Sequence, residues 1–371
     1  MTTSTIPRIS LGLVLAAAFV LAPVATFAQQ ADGATFRLLT FASGDSGPRL
    51  GATRGGGQRD IVDIHNAIAS LYRIDAPEIS ALPPIPIDMR SLIEAGDVPL
   101  QATKTIYDTV TRLRAAGELT ERGGSQRVFY PPSAVEYLPV IPNPSKVMSL
   151  AGAYQRRQAD GTPGNYDDAE YLSFFFKSPE SLAGHGADIN LWGLLTTGVH
   201  EPEFALVIGK TARAVPASEA LDYVVGYTIM NDVSSRDLPQ GRHSMQGGSM
   251  SKSLDSFTPL GPFLTLKEDV EDPNNLDISG YVDGELHVWP VPNGNTSFLT
   301  FTVEETIAYL SERMTLQPGD VIATGVPQPT LRFAEGQVIE IEIGNLGTLR
   351  NRVVSVPIPG HTPIPPRQAS D

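Results

Sequence analysis

Apolar and polar positions alternate from Thr35 to Phe41 (TFRLLTF), the period of a β-strand. A turn at Gly44 to Gly47 follows, then a strand start at Arg49-Leu50-Gly51-Ala52, a tip at Gly55-Gly56-Gly57 and a third run at Ile61-Val62-Asp63-Ile64. This is the pattern of a small β-meander. The glycine tip lacks the Lys-Ser/Thr ending and the following helix of a phosphate cradle, so it reads as a hairpin turn. The period then changes. Residues 64–73 and 87–118 have helical spacing, including Met89 to Ile93 and Ile106 to Leu113, with Pro83, Pro84 and Pro86 between them.

Residues 131–146 (PPSAVEYLPVIPNPSK) are Pro-rich and extended, which predicts a domain boundary. Beyond it the chain reads mostly as strands: Phe204 to Ile208, Tyr223 to Met230, Leu276 to Val282, Val321 to Thr324 and Val338 to Ile343. One helix stands out, Val303 to Arg313, with Glu304 and Glu305 in its first turn and Ile307, Leu310 and Met314 on one face. The expected organisation is a small N-terminal domain with its Pro-rich linker at 29–140, a strand-rich domain at 145–358 and a loose tail at 359–371.

Residues 1–28 stand apart. Arg8 precedes an apolar run of 14 residues, Leu11 to Val24, followed by small residues up to Ala28 and then Gln29-Gln30. That layout predicts a secretory signal peptide cut near Ala28. A membrane span needs roughly 20 apolar residues, so the run is too short to stay as an anchor. The expected location is outside the cytoplasm, in a bacterial periplasm, with no membrane attachment after cleavage. The chain has 27 Lys+Arg against 41 Asp+Glu, a net charge of −14, and loss of Arg8 makes it one unit more negative. Such a charge opposes nucleic acid and anionic lipid as partners. There is no Cys, which excludes thiol nucleophiles, thiolate zinc sites and disulfides.

The candidate chemistry begins at His200-Glu201-Pro202-Glu203-Phe204. Residues two apart on a strand share a face, so Glu201 and Glu203 stand side by side. Burial would raise the pKa of both unless a cation cancels their charge. Pro202 cannot donate to a sheet ladder, which marks an edge or a bulge. Asp232 lies where the apolar run YVVGYTIM ends, and a carboxylate at a strand end is well placed to converge on the same cavity. Three oxygen ligands suit Mg²⁺, with Mn²⁺ or Ca²⁺ as substitutes, rather than Zn²⁺. The open positions would take water and a chelating dicarbonyl. Lys252 would restore charge balance and stabilise an enolate. Residue by residue, bland alternatives stand beside these readings: two acids on a solvated strand end, and an ordinary surface lysine.

Several motifs occur in order: Glu201-x-Glu203, VIGK, Val225-Gly226-Tyr227-Thr228, NDVSSRD, KSLDSFTPLGP, and Leu316-Gln317-Pro318-Gly319-Asp320 through Gly325. With RLLTF, RLGA, IVDI and MRSLI upstream, they resemble the fumarylacetoacetate hydrolase family over roughly residues 36–357. The resemblance implies an α+β, strand-rich fold. A mixed β-roll catalytic domain stands behind a smaller N-terminal α/β domain, usually in a homodimer. It carries metal ligation onto Glu201, Glu203 and Asp232 and the family's lysine onto Lys252. It also places Tyr154, Lys177, Arg236, Gln240 and Thr324 where substrate binds. Members of the family act on small oxo-acids by hydrolysis, decarboxylation or isomerisation.

The sequence departs from this pattern in a lid segment. Hydrolytic members carry Asn-Tyr, then a His and a Glu that activate water. Here Tyr154 matches, but the His position is Arg157 and the Glu position is Asp160. Arginine stays protonated and cannot act as a general base, although it can clamp a carboxylate. Pro239 and Val326 also replace family residues, with Gln240 one position late. His243, in the loop from Gln240 to Met250, is the candidate replacement base. His200, one residue before Glu201, would point to the opposite face and pack behind the site. The expected activity is metal-dependent C–C bond hydrolysis of an acylpyruvate-like or 2-oxo acid. Decarboxylation or tautomerisation by the same enolate chemistry is the first alternative, and a non-catalytic metal-binding protein the second.

Overall fold

The computed structural model describes residues 35–55, 59–123, 126–155, 171–237, 251–286, 294–327 and 330–361. Its frame is a mixed sheet. Along it run Phe129–Tyr130, Ile61–Asp63, Arg49–Arg54, Phe36–Ala42, Thr258–Leu266, Val224–Asn231, Pro202–Ile208, Val321–Ala323, Val147–Ala151 and Ser173–Lys177. Most neighbours are antiparallel, but Val321–Ala323 runs parallel to Val147–Ala151. A smaller sheet contains Asp188–Asn190, Thr348–Val354, Val338–Ile343, Asp277–Val282 and Glu285–Leu286. The strand-rich α+β class expected from the sequence is what the chain adopts.

The expected meander forms, with Phe36–Ala42 paired to Arg49–Arg54 and that strand to Ile61–Asp63. The tip at residues 56–58 lies outside the described residues. The alternation in the first strand does not mark a solvent face, because all seven of its residues are buried. Phe36 and Leu38 join one core cluster, and Leu39 and Phe41 another. The polar positions find partners inside: Thr40 Oγ1 donates to the Val140 carbonyl at 2.9 Å. Arg37 donates to the Asn345 carbonyl and lies over the Phe263 ring. Phe36–Ala42 also pairs with Thr258–Leu266 from the later half of the chain, so one sheet runs through both halves. The Pro-rich stretch is held against that sheet by Glu136–Tyr137, paired to the first strand.

Helices form where capping and spacing agree. Asp63 caps Ile64–Arg73 by accepting from the Asn66 amide, and Thr302 with Glu305 makes a capping box for Val303–Arg313. The helical pattern of 87–118 is two helices, Met89–Glu94 and Asp97–Ala115. Gly96 separates them with φ 85°, a left-handed conformation that ends the first helix. Side chains of the Pro202–Ile208 strand alternate between two cores. Ala205 and Val207 pack with the N-terminal helices, and Phe204, Leu206 and Ile208 with Val303–Arg313 and the smaller sheet. Both faces of this central strand are therefore covered. Among the described residues no helix is long and apolar enough to cross a membrane.

Asp320 locks the parallel pair that borders the site. Its carboxylate accepts from the backbone amides of Lys146 at 3.0 Å and Gln317 at 2.6 Å. It also takes the Ser145 hydroxyl and the Lys146 ammonium. Asp320→Ala would leave those donors without their acceptor in a buried place, at a cost of about 2–4 kcal/mol. Urea denaturation measures this; a loss below about 0.5 kcal/mol would contradict the lock.

Candidate metal centre

Glu203 is the second residue of the Pro202–Ile208 strand and Asp232 follows the last residue of Val224–Asn231. These two strands pair in register, Pro202 opposite Asn231 and Glu203 opposite Met230. Both carboxylates therefore arrive at the same end of the pair. Glu201 sits at the break between Gly198–His200 and Pro202–Ile208. Pro202 begins a central strand rather than lying on an edge, a position where its missing N–H costs nothing. One oxygen from each of Glu201, Glu203 and Asp232 lies within 4.8 Å of the others, the only such group of potential ligands among the described residues.

Each carboxylate is fixed by its own donors. The Ser149 hydroxyl lies 3.0 and 2.8 Å from the two oxygens of Glu203, and the Gly325 amide donates to Glu203 Oε2 at 2.9 Å. Ser234 Oγ donates to Glu201 Oε1 at 2.8 Å. Lys252 Nζ bridges Glu201 Oε2, at 2.6 Å, and Asp232 Oδ2. Lys177 Nζ takes the other Asp232 oxygen and the Val233 carbonyl. The two lysines differ in setting: the Lys177 side chain is 0% exposed and that of Lys252 15%. The Lys252 ammonium also sits 5.1 Å from the centroid of the Phe175 ring, a cation–π contact.

Burial drives the electrostatics. It pushes the carboxyl of Glu203 well above its ordinary range, with the Asp232 charge adding to it. Burial likewise raises Glu201. Asp232 is pushed up by burial too, but Lys177 and Lys252 more than offset this and hold it low. Burial disfavours the charged form of Lys252, yet Asp232 and Glu201 outweigh it, so the ammonium is kept protonated. A place that keeps two carboxyls high while offering oxygen atoms from three fits a hard divalent cation. The Lys252 ammonium already stands against two of the three groups as a cation would.

His200 packs behind the site, as its position before Glu201 suggested. It is buried, and its Nδ1 accepts from Asn231 Nδ2 at 3.0 Å while Nε2 faces the Glu340 carbonyl at 3.2 Å. The Asn231 Oδ1 accepts from the Glu201 amide at 3.0 Å, tying His200 and Asn231 to the backbone of Glu201. Tyr154 and Thr324 meet each other: their hydroxyls are 2.9 Å apart, and Thr324 Oγ1 also donates to the Phe204 carbonyl at 3.0 Å. Burial raises the Tyr154 phenol, so it is not an acid near neutrality. Arg236 is exposed on the stretch after Ser235. Arg157, Asp160, Gln240 and His243 lie outside the described residues, as does His287. His65 bonds the Ile85 carbonyl, His361 is exposed, and burial lowers His185 to about 4.

Sequence reasoning missed Ser149, Ser234 and Asn231. A serine in the apolar run Val147–Ala151 carries a weak signal: a polar residue on a buried strand needs a partner.

Known proteins bear on this arrangement. Residues 149–354 match the family model described as fumarylacetoacetate (FAA) hydrolase C-terminal. The chain is 31% identical to the mitochondrial oxaloacetate tautomerase fahd2 of Xenopus laevis over 333 residues, covering 88% of this chain and 92% of that protein. It is 36% identical to oxaloacetate tautomerase YisK of Bacillus subtilis, covering 61% and 75% respectively. Among solved structures, maleylpyruvate hydrolase from Sphingobium sp. SYK-6, in complex with manganese(II) and pyruvate, is 27% identical with a TM-score of 0.60. That likeness covers 86% of this chain and 99% of the other.

Glu203→Gln separates metal ligation from folding. Because burial raises the folded-state pKa of Glu203, ionising it near neutral pH costs folding energy in the ion-free protein, a cost the neutral amide avoids. The ion-free melting temperature of the variant should therefore equal or exceed that of the wild type near pH 7, while the rise produced by Mn²⁺ disappears. A retained Mn²⁺ shift would contradict this assignment. The ordered strands, the converging carboxylates and the extended similarity together place this chain in the fumarylacetoacetate hydrolase family.

Proposed function

We propose that this protein is an oxo-acid tautomerase. It would hold Mg²⁺ or Mn²⁺ on Glu201, Glu203 and Asp232 and interconvert the keto and enol forms of a small 2-oxo dicarboxylic acid such as oxaloacetate. The observation that carries the reading is Lys252, a lysine 15% exposed that bridges two carboxylates of a buried triad. When bound, the divalent ion would supply Lewis-acid polarisation of a chelating 2-oxo acid. Lys252 donates hydrogen bonds toward the oxygen where enolate charge develops, and the Phe175 ring face steadies its ammonium there. Lys177 keeps Asp232 ionised from the enclosed side. Ser149 and the Gly325 amide orient Glu203.

Enolate chemistry of this kind needs no activated water. That matters because the lid position where hydrolytic members have His is Arg157 here. The naming of two relatives as oxaloacetate tautomerases supports the same reading. C–C bond hydrolysis of an acylpyruvate is the second reading. It is favoured by Asp160, a carboxylate at the family's Glu position, and by the fold shared with maleylpyruvate hydrolase. In either case we propose an exported homodimeric enzyme, on the strength of the N-terminal apolar run and the family.

The test is to give purified protein, with Mn²⁺ or Mg²⁺, enol oxaloacetate and a series of acylpyruvates. Ultraviolet absorbance should show accelerated ketonisation of oxaloacetate, falling at least about 100-fold in Glu203→Ala. Acylpyruvate cleavage without any acceleration of ketonisation would overturn the tautomerase reading in favour of hydrolysis.

A further inference from the structure

We propose that Lys252 couples the divalent ion to an anionic ligand, so that the ion and a 2-oxo acid bind together better than either binds alone. The inference rests on the cation reading of Glu201, Glu203 and Asp232 and assigns Lys252 a role beyond stabilising an enolate.

The geometry sets up a competition. Lys252 Nζ contacts Glu201 Oε2 at 2.6 Å and Asp232 Oδ2, oxygens from two of the three ligand groups. An ion settling on the triad needs those groups, so the ammonium must yield them. Lys177 offers no such exchange. Its side chain is wholly enclosed, and it holds Asp232 through the other oxygen, Oδ1, with the Val233 carbonyl as second acceptor. Lys252 has an exit, since its side chain is 15% exposed and lies beside the Phe175 ring.

Formal charge decides the outcome of that exchange. Counted in their charged forms, three carboxylates and two ammonium groups sum to a single net negative charge. A divalent ion turns this into a single net positive charge. The displaced Lys252 ammonium has lost its carboxylate partners yet remains near the ion, and like charges in a poorly solvated place repel strongly. A ligand carrying one carboxylate returns the sum to zero and gives Lys252 a new partner. Ion alone should bind weakly for the number of ligands it has, and ion with a 2-oxo acid should bind well. Linkage requires the converse with the same factor: the ion tightens the acid as much as the acid tightens the ion.

The experiment is a calorimetric titration of Mn²⁺ into the ion-free full chain at fixed pH, with and without saturating pyruvate as the simplest 2-oxo acid. Wild type, Lys252→Met and Lys252→Arg are compared. In the wild type pyruvate should tighten Mn²⁺ by about tenfold or more. Lys252→Met should bind Mn²⁺ alone about tenfold more tightly than the wild type, with the effect of pyruvate reduced to about threefold or less. Lys252→Arg, which keeps the charge, should retain most of the coupling and melt near the wild type. Lys252→Met, which removes the partner of Asp232 and Glu201, should melt lower and is titrated at a temperature where its melt shows it folded. Equal or weaker Mn²⁺ binding by Lys252→Met, or undiminished coupling in that variant, would overturn the proposal. If wild type and an Asp232→Asn variant bind Mn²⁺ equally, the cation reading fails, and this proposal with it.

Discussion

Three carboxylates gathered inside a protein repel one another. At a separation of about 4 Å and an effective dielectric of about 20, each pair of charges costs on the order of 4 kcal/mol. Much of the surrounding structure answers that cost. Lys177 and Lys252 pair with different oxygens of Asp232, one lysine enclosed and the other partly exposed. Ser149, Ser234 and the Gly325 amide bring neutral donors to the two glutamates. Counted in their charged forms, these groups leave one negative charge unbalanced where Lys252 and Glu201 are partly exposed, which suits a cation.

The fold explains why the carboxylates meet at all. The strands carrying Glu203 and ending at Asp232 are neighbours in the middle of the large sheet, with helices on one face and the smaller sheet with Val303–Arg313 on the other. The break at Glu201, before Pro202, turns that side chain onto the same spot, and Asn231 and His200 hold the backbone there. The Asp320 lock keeps Val147–Ala151 parallel to Val321–Ala323 and so places Ser149 beneath Glu203. Glu203 lies in a strand, and Glu201 and Asp232 each directly adjoin one, which favours precision over adaptability.

Much of this could be read from the residues. The i, i+2 spacing put Glu201 and Glu203 together, although Glu201 lies at a break rather than within the strand. The end of an apolar run located Asp232, and an acidic first turn with one apolar face marked Val303–Arg313. Other features were not legible, for physical reasons. The burial of Arg37 and Thr40 depends on partners more than ninety residues away, Asn345 and Val140, and local alternation carries no trace of them. The split at Gly96 is the work of one backbone conformation inside a pattern whose spacing continues across it. Lys177 read as a substrate contact because charge and position were visible but its enclosure was not. Ser149 gave little signal because a lone serine in an apolar strand has many uses. The resemblance carried further for the carboxylates than for the chemistry: Glu201, Glu203 and Asp232 match its pattern and converge, whereas the positions it matches to a water-activating His and Glu hold Arg157 and Asp160.

The most direct measurement of the central claim is anomalous diffraction at the manganese absorption edge from crystals of the protein grown with Mn²⁺. A divalent ion held by the triad predicts a single peak among Glu201, Glu203 and Asp232, with one oxygen of each at roughly 2.0–2.4 Å and the Lys252 ammonium moved off Asp232. A triad that shows no peak, or a peak lodged elsewhere with Lys252 still bridging Glu201 and Asp232, would contradict it.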